Sequence, residues 1–315
     1  MRRTWISTRA RFAAGDGWGG AMQETGVNQD YRRLAASTLH GRENWRPWHL
    51  VRILCIGAHP DDCEYRFAGS AAKFVALKHE VKFLSMTCGD AGHHVHSGAG
   101  LAEIRRGEAE QARRRLGIAG SEILSYHDGE LIPSLEARRE VVRQIRAWRA
   151  DVVLTHRPWD YHPDHRYTSQ IVQDAAYLLV VPNICPEVER LPRNPVFLYL
   201  EDDFQLPVPF TPDVAVDIDD VWEQKIASLD AHTSQFYEWL PWVDGALDKV
   251  PVDAAARRRW LSGRRSVLPN PSVRAALERR YGTVKGREIC HAEAFQICEY
   301  GRRPSTNELD EVFPR

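Results

Sequence analysis

Nowhere in this chain of 315 residues do about 20 apolar residues run on without interruption, which argues against a membrane-spanning helix. The formal net charge is −1, from 42 Lys and Arg against 43 Asp and Glu. No field of one sign therefore draws the chain to nucleic acid or to an anionic membrane surface. Its six cysteines, Cys55, Cys63, Cys88, Cys185, Cys290 and Cys298, form no Cys-x-x-Cys pair, and a chain of this length needs no disulfide staples. They read as reduced thiols of a cytoplasmic protein. The opening stretch, MRRTWISTRARFAAGDGWGG, is basic but lacks the apolar core of about 7–15 residues that a secretory signal carries. No Gly-x-Gly-x-x-Gly follows the first strand-like run, so a dinucleotide-binding reading loses its main support.

What is present has the profile of a globular protein with a full core: 43% hydrophobic and 27% charged residues. Residues 1–48 show no sustained periodicity and read as a poorly structured N-terminal extension. From Arg52 a regular alternation begins. VRILCIG (51–57) is a short apolar run ending in Gly, as expected of a strand buried on both faces. Helical spacing follows over 68–79, a strand over 80–90, and a charged amphipathic helix over 102–117 that stops at Gly117. A strand within 122–131, a helix over 135–150, a strand over 151–158 and a helix over 164–180 complete the series. Later come strands at 195–202 and 213–218, a helix over 220–240, an Arg-rich stretch over 241–288 and a late strand within 291–301. The order predicts an α/β fold, a Rossmann-like and mostly parallel sheet with helices on both faces, in one domain over 49–315. Its core is expected over 51–240, with 241–315 as a C-terminal elaboration.

In such sheets the reactive residues collect at the carboxyl ends of the strands. Two segments there stand out: His59-Pro60-Asp61-Asp62 and His162-Pro163-Asp164-His165. Alone, either tripeptide His-Pro-Asp is a common turn, with Pro setting φ and Asp capping the next helix. Two of them after strands of one sheet can face one cleft. Two neutral imidazoles and a carboxylate suit Zn²⁺ with an open fourth position, and the candidate ligands are His59, Asp62 and His165. The same set also suits Fe²⁺ or another divalent ion. Asp61 and His162 remain beside them as a base and an oxyanion donor, and Asp164 is expected to hold the second nitrogen of His162.

The run AHPDDCE, AGS and AKF, then IRRGEAEQA, HDGEL, HPDHR and AHTSQF, from about Arg52 to Phe236, resembles the PIG-L or LmbE-like family of zinc-dependent N-deacetylases. The resemblance implies zinc on His59, Asp62 and His165, Asp61 as general base, and His162 as the group polarising the scissile carbonyl. It also implies substrate contacts from Arg105 and Asp128. The implied activity is removal of an acetyl group from an N-acetylated amino sugar or glycoconjugate, by attack of zinc-bound water. The rival readings are an amidase cleaving a larger acyl group from a thiol conjugate or secondary-metabolite intermediate, and a non-catalytic sugar-binding module. The expected partner is a small-molecule N-acetyl sugar or glycoconjugate. Nucleic acid is not expected, and a homo-oligomer is compatible with the reading.

Other residues carry weaker signals. His93, His94 and His96 read as a loop at the cleft mouth, because no carboxylate stands at ligand spacing in the sequence. Trp159 and Tyr161 could stack on a sugar face or simply pack. Cys63 reads as packing, and His232 and His291 as structural or as part of a pocket shared between subunits. The arginines of 257–265 read as a solvated helix face. Bulky Tyr65, Arg66 and Phe67 stand where many members of that family have glycine-rich sequence.

Overall fold

The computed structural model describes residues 50–315; the extension expected over residues 1–48 lies outside the described residues. Strand β1 (Arg52–Gly57) pairs in parallel with β2 (Glu80–Thr87) on one side and with β4 (Val152–Thr155) on the other. β2 pairs in parallel with β3 (Gly120–Tyr126), and β4 with β5 (Val196–Leu200). The seven-stranded sheet is completed by two antiparallel pairings, of β5 and of β6 (Val214–Asp217) with β7 (Ala292–Cys298), in the order β3-β2-β1-β4-β5-β7-β6. The late strand is thus an interior strand of the sheet, so the C-terminal stretch completes the core rather than decorating it.

The alternation along β1 explains why it is apolar throughout. Ile53 and Cys55 face a core on one side with Phe67, Phe74 and Phe83, while Leu54 and Ile56 face another with Val141, Ile145 and Ile171. Rings as deeply buried as Phe67 and Phe74 contribute roughly 1.5–3 kcal/mol each by removal from water. The covering helices are α1 (Asp62–Ala76), α2 (Gly98–Leu116), α3 (Leu135–Trp148) and α4 (Pro163–Ala176). Gly117 ends α2 at φ 71°, the left-handed conformation expected of a residue just past a helix end. Among the described residues, no helix is long and apolar enough to cross a membrane.

Of the boundaries that differ from the sequence-based expectation, two differ for a plain physical reason. α1 begins at Asp62, not near residue 68, because Asp62 and Glu64 supply the acidic first turn that a helix N-terminus favours. The helix expected over 220–240 is broken: α5 (Trp222–Leu229) stops, and a π-helical turn (Ser234–Trp239) follows. The Ser234 N–H donates to Glu108 Oε1 and its hydroxyl to Oε2, both at 2.7 Å, so this backbone is tied to α2 instead of continuing α5. Beyond it, the Arg-rich stretch folds as α6 (Ala254–Arg265), α7 (Pro271–Tyr281) and α8 (Thr283–Glu288). The arginines of α6 lie over aromatic rings, Arg257 over Tyr237 at 4.2 Å and Arg265 over Tyr65 at 5.3 Å.

Candidate active site

The strand order reverses between β1 and β4, and a cavity of about 700 Å³ opens at the carboxyl ends of these two strands. That is the crevice where open α/β sheets bind ligands. The loop after β1 brings His59, Asp61 and Asp62 to its floor, and the loop after β4 brings His156, Asp160, His162 and His165.

Two imidazole nitrogens and the two oxygens of one carboxylate converge there. His59 Nδ1 lies 3.2 Å from His165 Nε2 and 3.5 Å from an Asp62 oxygen, and His165 Nε2 lies 3.4 Å from the other oxygen of Asp62. Ligands at about 2.0–2.1 Å from a tetrahedral metal stand roughly 3.3 Å apart, so the triangle has the right size. The charges around it point the same way. His59 Nε2 faces Asp128 Oδ1 at 3.1 Å and Asp164 Oδ2 at 3.4 Å, and His165 Nδ1 faces Asp160 Oδ1 at 3.0 Å. These carboxylates draw the imidazole protons outward and turn both lone pairs toward the centre. Two lone pairs and a carboxylate aimed at one point form a cage for a cation.

Asp62 is built in firmly. Its Oδ2 accepts the backbone N–H of Ala58 at 2.9 Å and of His59 at 2.7 Å. Burial works against its charge, but His165 and His156 hold its carboxyl well below the usual range. Gly57 makes room for it, since a Cβ there would stand 2.7 Å from Asp62 Cβ. Gly57→Ala is therefore expected to lower the melting temperature, the overpacking costing about 1–3 kcal/mol, and to weaken metal binding in a chelator competition. Unchanged melting and unchanged metal affinity together would show that this loop has slack.

Asp61 sits beside the triangle without belonging to it. Its φ of 153° is rare for a residue with a side chain, and such strain costs about 1–3 kcal/mol and collects at functional sites. Arg105 Nη2 donates to its Oδ1 at 3.1 Å and to the Pro60 carbonyl at 3.0 Å. Burial pushes the Asp61 carboxyl up to about 6, against the opposing pull of Arg105. His162 caps α4: its Nδ1 accepts the Asp164 N–H at 3.2 Å, which leaves the proton on Nε2. Burial, the largest cause, lowers its pKa and favours the neutral imidazole.

Three expectations change here. The Asp164 carboxylate does not support His162; it accepts the Gly129 N–H at 2.7 Å and faces His59 instead. Only its backbone N–H meets His162. Arg105 and Asp128 line the cavity, but Arg105 is 2% exposed and committed to Asp61 and to backbone carbonyls, and Asp128 backs His59. Their geometry favours positioning work over substrate contact. Finally, folding brings Glu238 within 2.9 Å of His93 Nε2, a carboxylate partner that sequence spacing hid. Trp159 is covered by the Arg157 guanidinium at 5.2 Å, whereas Tyr161 stays at the cavity, 72% exposed. His232 is buried against Glu64 at 3.3 Å, His291 stacks on Trp222 at 3.9 Å, and Cys63 donates weakly to the Cys55 carbonyl at 3.4 Å.

Sequence reasoning misses two side chains that folding brings to the site. His156 Nε2 lies 3.1 Å from the Ala58 N–H and 3.2 Å from Asp62 Oδ2, and its ring stacks on His165 at 4.1 Å. Asp160 accepts the His162 N–H at 3.1 Å in addition to backing His165. The available signal for His156 was its place directly after β4, at the same sheet edge as the first motif.

Comparison with known proteins supports the same region. Residues 54–176 match the family described as PIG-L: GlcNAc-PI de-N-acetylase, and both motifs fall inside that stretch. Diacetylchitobiose deacetylase of Thermococcus kodakarensis is 32% identical over 204 residues, 61% of this chain and 74% of that protein. A 4-oxalmesaconate hydratase of Pseudomonas putida is 22% identical over 231 residues, 69% of this chain and 89% of the other. The fold resembles that of N,N'-diacetylchitobiose deacetylase from Pyrococcus horikoshii, with a TM-score of 0.60 and 24% identity, over 87% of this chain and 93% of that one. On the extent of the Thermococcus kodakarensis protein that it covers, and on the matched stretch around its two histidine motifs, the chain belongs to the PIG-L (LmbE-like) family of de-N-acetylases.

Proposed function

We propose that this chain is a metal-dependent hydrolase that removes the acetyl group from an N-acetylated amino sugar or glycoconjugate. The observation that carries the reading is the triangle of His59 Nδ1, His165 Nε2 and the Asp62 carboxylate, with sides of 3.2–3.5 Å and Asp61 and His162 at its edge. His59, Asp62 and His165 would hold a divalent ion, and two imidazoles with one carboxylate favour Zn²⁺ in a tetrahedral site. Such an ion supplies Lewis acidity, polarising a carbonyl and making water more acidic.

The chain's own groups do the rest. Asp61 takes the proton of the attacking water; a carboxyl with pKa of about 6 has the strength this work requires. Arg105 keeps Asp61 aimed. His162 presents Nε2–H to the carbonyl oxygen as charge gathers on it. Asp61 then returns its proton to the leaving nitrogen, so the amide C–N bond breaks to acetate and a free amine. The intact base and ligand set speaks against a purely sugar-binding module. Five of the six cysteines are buried and none is disulfide-bonded, which supports a reducing, cytoplasmic setting.

The test is acetate release from a panel of N-acetylated sugars by purified protein of measured zinc and iron content, alongside conjugates bearing longer acyl groups. Release of acetate proportional to zinc content is expected; release only of longer acyl groups would move the reading to the amidase. In the same assay, His162→Ala should retain metal and lose about 10²–10³-fold in kcat with a smaller change in KM. Loss of metal as complete as that from removing a ligand would make His162 a ligand instead of a donor.

A further inference from the structure

A second cavity of about 210 Å³ adjoins the first and shares Tyr65, Arg66 and Arg265 with it. At its edge three side chains from distant parts of the chain form a line. Asp219 follows β6, Ser266 follows α6, and His291 precedes β7. The Ser266 hydroxyl lies 2.9 Å from His291 Nε2, and His291 Nδ1 lies 2.7 Å from Asp219 Oδ1. None of the three lines the cavity of the ligand triangle. A serine, an imidazole and a carboxylate at these distances are the arrangement that activates a hydroxyl for attack on a carbonyl carbon.

Each partner is held for that work. Asp219 also accepts the backbone N–H of His291 at 2.6 Å and of Cys290 at 2.9 Å, so its carboxylate is fixed. Facing a carboxylate, Nδ1 carries the proton of the ring, which leaves the Nε2 lone pair to accept from Ser266. The ring lies flat on Trp222, with centroids 3.9 Å apart and planes 15° from parallel, and the Trp222 indole N–H donates to Ser262 Oγ at 3.0 Å. The base is thus set in tautomer and orientation, while Ser266 stays exposed. The Ser266 N–H donates to the Ser262 carbonyl at 2.9 Å, so α6 and not the hydroxyl holds its backbone. His291 lines the second cavity, and so do Arg265 and Val267 on either side of Ser266. The Arg265 Nε–H is buried without a partner, a donor beside the serine where negative charge would gather. Trp222, Leu229, Leu268 and Val273 give the cavity apolar walls. Its volume is below the roughly 300–1,000 Å³ of sites for drug-sized ligands, which suits a short acyl group.

We infer that Ser266, His291 and Asp219 are a second catalytic centre, one that cleaves small carboxylic esters by acyl transfer to serine. Ser266 Oγ attacks the carbonyl carbon and passes its proton to His291 Nε2. The ester C–O bond then breaks, the alcohol leaves with that proton, and the acyl group stays on Ser266. A water molecule attacks the acyl carbon and gives a proton to His291. The bond from the acyl carbon to Oγ breaks as Ser266 takes that proton back, which frees the carboxylic acid. This chemistry goes beyond the deacetylation proposed above and does not rest on it.

A fluorophosphonate, which joins its phosphorus to an activated serine with loss of fluoride, tests the centre on the full-length, zinc-loaded chain. Peptide mass spectrometry should find the label on Ser266. His291→Gln can hydrogen-bond to Ser266 but cannot take its proton, and should slow labelling by about 10²-fold or more, the usual share of a general base. Ser266→Ala, at an exposed position, gives an independent reading if His291→Gln does not fold. It should lose the label and, with a chelator present to silence the metal cleft, lower hydrolysis of p-nitrophenyl acetate by about tenfold or more. Without chelator its acetate release from N-acetylated sugars should match that of the unaltered protein. No label on Ser266, equal labelling of Ser266 in His291→Gln, or undiminished ester hydrolysis in Ser266→Ala overturns the second centre. A parallel fall in acetate release would tie Ser266 to the metal cleft and overturn it as a separate one.

Discussion

Asp61→Asn should leave the metal in place and lower kcat by about 10²–10⁴-fold, the usual contribution of a positioned general base. Asparagine matches aspartate in size but cannot take a proton. The metal stays because Asp61 is not a corner of the triangle formed by His59, Asp62 and His165. The loss should fall on kcat more than KM, since proton transfer belongs to the transition state and not to binding. Asp61 also receives the Arg105 guanidinium at 3.1 Å, and the neutral amide weakens that pair. Folding must therefore be checked, and a melting temperature within a few degrees of the unaltered protein separates loss of a base from loss of structure. Turnover near that of the unaltered protein, with zinc content unchanged, would remove Asp61 from the mechanism.

His165→Ala should empty the site. Two nitrogens and a carboxylate make the cage, and alanine at 165 removes one corner and opens the wall that Asp160 backs. The fall in metal affinity should exceed the ~10–100-fold that removing an outer partner of a ligand typically costs. Elemental analysis after dialysis should find little metal, with acetate release falling in step. Stability supplies a second readout. A metal bound only by the folded state raises stability in proportion to the logarithm of its concentration over Kd. A chelator should then lower the melting temperature of the unaltered protein and leave that of His165→Ala unmoved. Stoichiometric zinc in the variant would exclude His165 as a ligand. Asp160→Asn is the milder companion: it keeps all three ligands and loosens the His165 ring and the hold on the His162 backbone N–H.

Much of this was legible in the sequence because local chemistry dictates it. The apolar alternation of VRILCIG determines a strand buried on both faces, and repetition of strand and helix determines a parallel sheet, whose carboxyl edge is where loops can converge. Pro60 lies in the turn between β1 and α1 and Pro163 opens α4, which puts His59, Asp61, Asp62, His162 and His165 in loops or first helical turns. Those facts depend on neighbours within a few residues.

What only the tertiary structure decided depends on partners distant in the chain. Asp164 lies two residues from His162, yet its carboxylate turns to His59 and Gly129, because α4 packs that side chain toward the β1 and β3 loops. Asp128 backs His59 across 69 positions for the same reason, and Glu238 reaches His93 across 145. β7 enters the sheet between β5 and β6, which nothing near residue 292 announces. Spacing along a chain reports which side chains a single helix or strand presents. The direction in which each carboxylate points is set by the charges that folding lays beside it, and at this cleft those come from the loops after β1, β3 and β4 and from α2.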